Sequence, residues 1–154
     1  MEEQSKIYLE KYLNSLSESE RQKYQSFSSD YFCADEHNAN LCAELIQIGQ
    51  KTATCSLSYW YESGEEPIPT IGHLMVVVNW KGEPICIIEI DSVEKCKYNK
   101  VTPEFAHAEG EGDRSIEWWR KAHWKFFAKE CIELGIEPDE NMDLVLERFH
   151  VVHR

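Results

Sequence analysis

An α+β fold is the class the sequence predicts, on three observations: a helical period near the N-terminus, a switch to period two from Thr52, and a second helical period from Ile116 that precedes a final apolar run. At 154 residues, with 42% apolar and 29% charged side chains, the chain fits one domain able to bury its own core. The short strand candidates suit a small, mostly antiparallel sheet that could curl into a barrel, with flanking helices.

Residues 4–26 carry Ile7, Leu9, Tyr12, Leu13 and Leu16 at mainly helical spacing, and Ser17-Glu18-Ser19-Glu20 is a capping box for a second short helix. This predicts a helical N-terminal extension over residues 1–26, with the domain proper over 27–154. Phe27 to His37 has no period and is expected as a packed loop. Asn38 to Ile48 reads as a helix, with Gly49 placed to end it in a left-handed cap. From Thr52 to Tyr59 polar and apolar residues alternate, the pattern of a strand with one buried face. Leu74–Trp80 and Ile85–Val93 are apolar on both faces and are joined by Lys81-Gly82-Glu83-Pro84, so they should form a hairpin. Thr102–His107 is a short helix candidate. The stripe Ile116, Trp119, His123, Phe126, Phe127, Cys131 and Leu134 marks a longer helix that ends at Gly135, and Leu144–His153 closes the chain as a strand.

Charge and composition exclude several classes. There are 28 acidic against 16 basic residues, a formal charge of −12, which opposes sequence-independent binding of duplex DNA. No apolar run approaches membrane-spanning length and the first residues are charged, so no membrane partner and a cytoplasmic location are expected. Six cysteines with no C-x-x-C pair read as free thiols rather than disulfides or a zinc site.

Three features could carry chemistry. In Gly49-Gln50-Lys51-Thr52-Ala53-Thr54 a lysine and two hydroxyls stand where a helix meets a strand. The segment lacks the spacing of a phosphate-binding Walker loop. It is either a glycine cap with a solvated lysine or a cation and hydroxyl aimed into a cleft, where Lys51 could bind phosphate or activate Thr54. Those two residues differ in strand parity, so a bend near Thr52 is needed to bring them together. Glu89 interrupts the apolar strand Ile85–Ile90, which fits an edge position, a structural ion pair, or acid and base work opposite Lys51. Last, Glu109-Gly110-Glu111-Gly112-Asp113 is an acidic glycine loop entering the Ser115 helix. A solvated helix entry capped by Asp113 or Ser115 competes there with a divalent-metal site, and no metal is expected. Arg114 and Ser115 are expected to face the cleft, with Trp60, Tyr61 and Trp118 as candidate stacking surfaces. His123, between Trp119 and Phe127, reads as a satisfied core histidine.

Taken together, Ile48-Gly49-Gln50-Lys51-Thr52-Ala53-Thr54, the strand carrying Glu89, and Phe105-Ala106-His107-Ala108-Glu109-Gly110-Glu111-Gly112-Asp113 followed by Trp118, Trp119, His123 and Phe126-Phe127 resemble the ASCH domain over about residues 27–153. The resemblance implies a PUA-like β-barrel with flanking helices and a cleft that binds single-stranded RNA or a nucleoside-like small molecule. Some small members are amidohydrolases of acetylated cytidine that use a lysine, a threonine and a glutamate, which match Lys51, Thr54 and Glu89. Other members act as ribonucleases. The site expected on these grounds comprises Lys51, Thr54 and Glu89 with Gly49, Thr52, Trp60, Glu109, Arg114, Ser115 and Trp118, and no cofactor.

Overall fold

The computed structural model describes all 154 residues. In chain order the elements are α1 (Glu3–Ser15), α2 (Glu18–Arg21), β1 (Phe27–Asp30), α3 (Glu36–Gln47), β2 (Ala53–Leu57), α4 (Tyr59–Glu62), β3 (Leu74–Val78), β4 (Pro84–Lys97), α5 (Pro103–Glu109), α6 (Ile116–Glu133) and β5 (Asp143–His153), with a 3-10 turn over Tyr98–Lys100. The five strands form one mixed sheet in the order β1-β3-β4-β5-β2. The expected barrel is not closed: β1 and β2 end the sheet as its two edges, and no ladder joins them. β1 runs parallel to β3, whereas β3–β4, β4–β5 and β5–β2 are antiparallel.

β3 and β4 are apolar on both sides because helices cover both faces. On one side Val76, Val78 and Ile87 pack under Leu9, Tyr12 and Leu13 of α1. On the other, Val77, Cys86 and Ile88 pack against Ala43 and Ile46 of α3. Successive side chains of a strand point to opposite faces, so each strand feeds two layers of core. A third cluster joins β2 and β5 (Ala53, Leu57, Leu144, Leu146) to Phe105 of α5 and to Trp119, Phe127 and Cys131 of α6.

The hairpin expected between β3 and β4 is present, with Asn79 N–H donating to the Glu83 carbonyl. The capping box at Ser17 and Glu20 is fully formed. Phe27–Asp30 departs from the expected loop. Four residues too short and too polar to show a period gain their order from the ladder with β3. β2 begins at Ala53 rather than Thr52, and that single residue removes the parity conflict between Lys51 and Thr54. Lys51 precedes the strand and its side chain obeys no pleat. No helix is long and apolar enough to cross a membrane.

Candidate functional site

α3 ends at Gly49, which takes the left-handed conformation (φ 81°), and the Gln50 and Lys51 N–H groups both turn back to the Leu45 carbonyl. This closure drives the Lys51 side chain inward, where it is 2% exposed. Its Nζ donates to the Ala53 carbonyl (2.8 Å), to Glu111 Oε2 (2.9 Å) and to the Glu109 carbonyl (3.4 Å), and lies 3.8 Å from Glu109 Oε1. A buried ammonium with this many acceptors is fully satisfied.

Glu109, the last residue of α5, is 1% exposed and is the hub of the cluster. Its Oε2 accepts from Trp119 Nε1 and from His123 Nε2, each at 2.7 Å. His123 Nδ1 faces the Trp119 carbonyl at 2.9 Å, an atom that can only accept. Both ring nitrogens therefore donate, which makes His123 an imidazolium opposite an ionised Glu109. It also stacks on Trp119, with centroids 4.3 Å apart and an interplanar angle of 15°. The buried cluster thus holds two cations, Lys51 and His123, against two anions, Glu109 and Glu111.

Burial pushes against every one of these charges, and the partners outweigh it. For Lys51, burial alone would lower the pKa, yet the Glu109 and Glu111 carboxylates hold it above the ordinary lysine range. Burial would raise Glu109, but the Lys51 ammonium and the His123 hydrogen bond keep its carboxyl below the usual value. Burial would lower His123, whereas the hydrogen bond to Glu109 and that carboxylate's charge hold it up.

The cluster forms the floor of a cavity of about 300 Å³. Lys51, Thr54 and Cys55 line it from the start of β2, with Glu109 and Glu111 beside them; Phe32 to Asp35 and Asn38 form one wall, and Trp118, Ala122, His123, Lys125, Phe126 and Phe127 of α6 form the other. Trp118, Ala122 and Phe126 recur at helical spacing and so share one face of α6. Both glycines of the acidic loop are needed for this shape. Gly110 (φ 74°) caps α5, and a Cβ there would stand 2.4 Å from the Gln50 carbonyl oxygen. At Gly112 (φ 60°) a Cβ would fall 2.2 Å from the Trp118 indole, so the ring lies against a residue with no side chain.

Of the residues expected in the site, Lys51, Thr54, Glu109 and Trp118 line this cavity. Glu89 does not, and the expected Lys51–Glu89 pair is not formed. Glu89 shares the parity of Ile87 on the α1 side of the sheet, accepts from the Tyr24 hydroxyl at 3.0 Å and lies 3.8 Å from His150 Nε2. Gly49 acts through the helix cap. Thr52 ties β2 to α5, its N–H and hydroxyl both donating to the Ala108 carbonyl. Trp60 packs on the core and donates to Glu130 at 2.7 Å, and Tyr61 pairs with Ser56. Arg114 is turned onto the carbonyls of His107 and Gln50 rather than into the cavity. Ser115 caps α6 by accepting from Trp118 N–H, and Asp113 braces that cap by accepting from Ser115 N–H and Oγ. The three loop carboxylates therefore part company, each with its own partner.

Two groups offer metal-ligand atoms, Cys33–Cys42–Glu111 and Cys55–Glu109–His123. In each, the carboxylate is already engaged by the Lys51 ammonium or the His123 imidazolium, whose charge opposes a cation. Glu111 and His123 complete the cluster although the sequence marked the first only as part of an acidic loop and the second as core. Trp119, ten residues beyond Glu109, and His123, one turn further on, are the signal that links them.

This order of elements is found in known proteins. The family model for the ASCH domain matches residues 28–153, four-fifths of the chain and all of the cavity. The chain belongs to the ASCH domain family. An ASCH domain of Lactobacillus crispatus JV V101 is similar throughout, at 60% identity and a TM-score of 0.97, covering 100% of this chain and 97% of that one. Protein EF3133 from Enterococcus faecalis V583 shares 26% identity at a TM-score of 0.83, over 99% of this chain and 90% of its own. Hypothetical protein PH0355, at 15% identity and a TM-score of 0.53 over 83% of this chain and all of that one, shares the fold alone. No curated protein matches.

Proposed function

We propose that the cavity binds an unpaired nucleobase, carried by a nucleoside-like small molecule or by one nucleotide of single-stranded RNA. The observation that carries this reading is aromatic rings on both walls, Phe32 on one and Trp118 and Phe126 on the other, standing over a charge-balanced polar floor. Aromatic rings supply stacking at about 1–3 kcal/mol per base, and fixed donors and acceptors read the base edge. A volume of about 300 Å³ is at the small end of ligand pockets and suits one base with its sugar better than a folded polymer. The lining carries Lys51, Lys125 and the His123 imidazolium against Asp35, Glu109 and Glu111, so it does not concentrate net positive charge for a phosphate chain. An ASCH domain fits this reading, and a cytoplasmic setting fits six free cysteines.

Titration of the four common nucleosides and of short single-stranded RNA, followed by calorimetry, tests it. Saturable binding of at least one nucleoside, weakened at least tenfold in Trp118→Ala, is expected. No saturation at millimolar concentrations of any nucleoside or RNA would overturn it.

A hydrolytic reading is favoured by one observation, that Thr54 and Lys51 line the same cavity. Since Lys51 stays protonated, its role would be to stabilise an oxyanion rather than to act as base, and Glu111 would take the proton from Thr54 or water. Glu89 has no part in it. Incubation with acylated nucleosides, and with single-stranded RNA for the ribonuclease variant, followed by chromatography, decides the matter: product that disappears in Thr54→Ala supports hydrolysis, and unchanged substrate removes it.

A further inference from the structure

Cys33 and Cys42 bring their Sγ atoms to 3.2 Å at the edge of the cavity. Cys33 is exposed, lines the cavity, and sits in the left-handed region at φ 71°, a conformation that a side-chain-bearing residue rarely adopts. Cys42 lies on α3, buried, with its Sγ 3.6 Å from Glu111 Oε1. An accessible thiol thus stands against a buried one, and the buried one touches the carboxylate that holds Lys51. None of this is used by the charge cluster itself.

We propose that Cys33 and Cys42 are a reversible two-electron redox site, whose disulfide pins the Phe32–Asp35 wall of the cavity to α3. A hydroperoxide is the oxidant. The Cys33 thiolate attacks one peroxide oxygen, the O–O bond breaks, and Cys33 becomes a sulfenic acid as the other oxygen leaves as hydroxide or alkoxide and takes a proton. Cys42 sulfur then attacks Cys33 sulfur; the S–S bond forms, the S–O bond breaks, and the Cys42 proton leaves with the hydroxyl as water, Glu111 Oε1 being the nearest carboxylate to relay it. Two thiols have lost two electrons to the peroxide, and a small dithiol reverses the reaction by exchange. The remaining approach of the sulfurs, from 3.2 Å to a bond of about 2 Å, is small for a residue on a loop. Oxidation also removes the Cys42 S–H from Glu111, so the wall and the floor of the cavity change together. The regulatory consequence rests on the cavity being a ligand site, whereas the cross-link does not.

The test treats reduced protein with hydrogen peroxide, maps peptides without reduction, and follows hydrogen exchange over residues 31–38. A Cys33–Cys42 peptide pair, reversed by a dithiol, with slower exchange at 31–38, is expected. Cys33→Ser, at an exposed position that should not disturb folding, must abolish both changes, and Cys42→Ala must leave Cys33 as an uncross-linked sulfenic acid. Cross-links that join other cysteines, over-oxidation of Cys33 without a cross-link, or an unaltered exchange pattern would overturn the proposal. So would stoichiometric zinc that shields both thiols, which would make this a metal site. Nucleoside titration of the two redox forms then reports on regulation separately, because the cross-link is scored without any ligand.

Discussion

Lys51→Met removes one charge from the buried cluster while keeping most of the side-chain volume. Glu109, at 1% exposure, then retains only His123 as a cationic partner, and Glu111 loses its 2.9 Å contact altogether. Breaking one partner of a buried pair costs about 3–5 kcal/mol, and the surviving imidazolium places the expected loss near the lower end, about 3 kcal/mol. For a chain of this size each kcal/mol moves Tm by roughly 2–4 °C, so a fall of about 6–12 °C is expected in thermal unfolding followed by circular dichroism. Adding Glu111→Gln to Lys51→Met removes the stranded charge, so the double variant should recover about 1 kcal/mol relative to additive losses. A Lys51→Met protein within about 1 °C of wild type, or strict additivity in the double variant, would refute the reasoning, because either means that these groups do not share a dry, coupled site.

The same cluster has a pH signature with two arms. The folded pKa of His123 is raised, so its contribution is complete below its ordinary value near 6.5 and is lost as pH rises through the folded value; that of Glu109 is lowered, so its contribution is present above about 4.5 and is lost as pH falls through the folded value. Half-buried Glu147, whose carboxyl is pushed up to about 7, also weakens the fold as pH rises from about 4.5 to 7, so His123→Gln should shrink the alkaline decline to that remainder; a decline as steep as in the wild type contradicts this. Gly110→Ala forces a Cβ against the Gln50 carbonyl at positive φ and should cost about 2–4 kcal/mol by denaturant unfolding, whereas an unchanged midpoint would show that the loop yields. Gly112→Ala should instead displace the Trp118 ring and weaken nucleoside binding more than it lowers stability, and equal affinity with wild type would count against that ring as the stacking wall.

Much of the fold was legible because its signals are local. The capping box at Ser17, the Gly49 helix end, the β3–β4 hairpin and the α6 stripe each depend on residues a few positions apart. β1 was not, since a four-residue segment with three polar side chains becomes a strand only when β3 pairs with it. An open sheet rather than a barrel was equally hidden, because closure depends on whether the edge strands meet, and no local period reports that. In the site, the unusual placement of Lys51 was readable, while its partner was not. Glu89 stood out as a carboxylate in an apolar strand, but its parity with Ile87 commits it to the α1 face, where Tyr24 receives it. The true partners come from a glycine-rich stretch that looked solvated. Its glycines let the chain pass close to Gln50 and Trp118, and that approach buries Glu109. Arg114 and Ser115 were expected at the cleft on charge and position, yet both are consumed by backbone groups at the ends of α5 and α6.

Nitrogen–proton NMR of the labelled protein during titration with a nucleoside locates the ligand most directly. If the cavity is the binding site, the Trp118 and Trp119 indole signals and the backbone signals of residues 32–38, 51–55 and 109–112 shift together and saturate. Shifts that gather instead around Tyr24, Glu89 and His150 on the α1 side of the sheet, or no shifts at saturating ligand, would contradict the assignment of this cavity as the functional site.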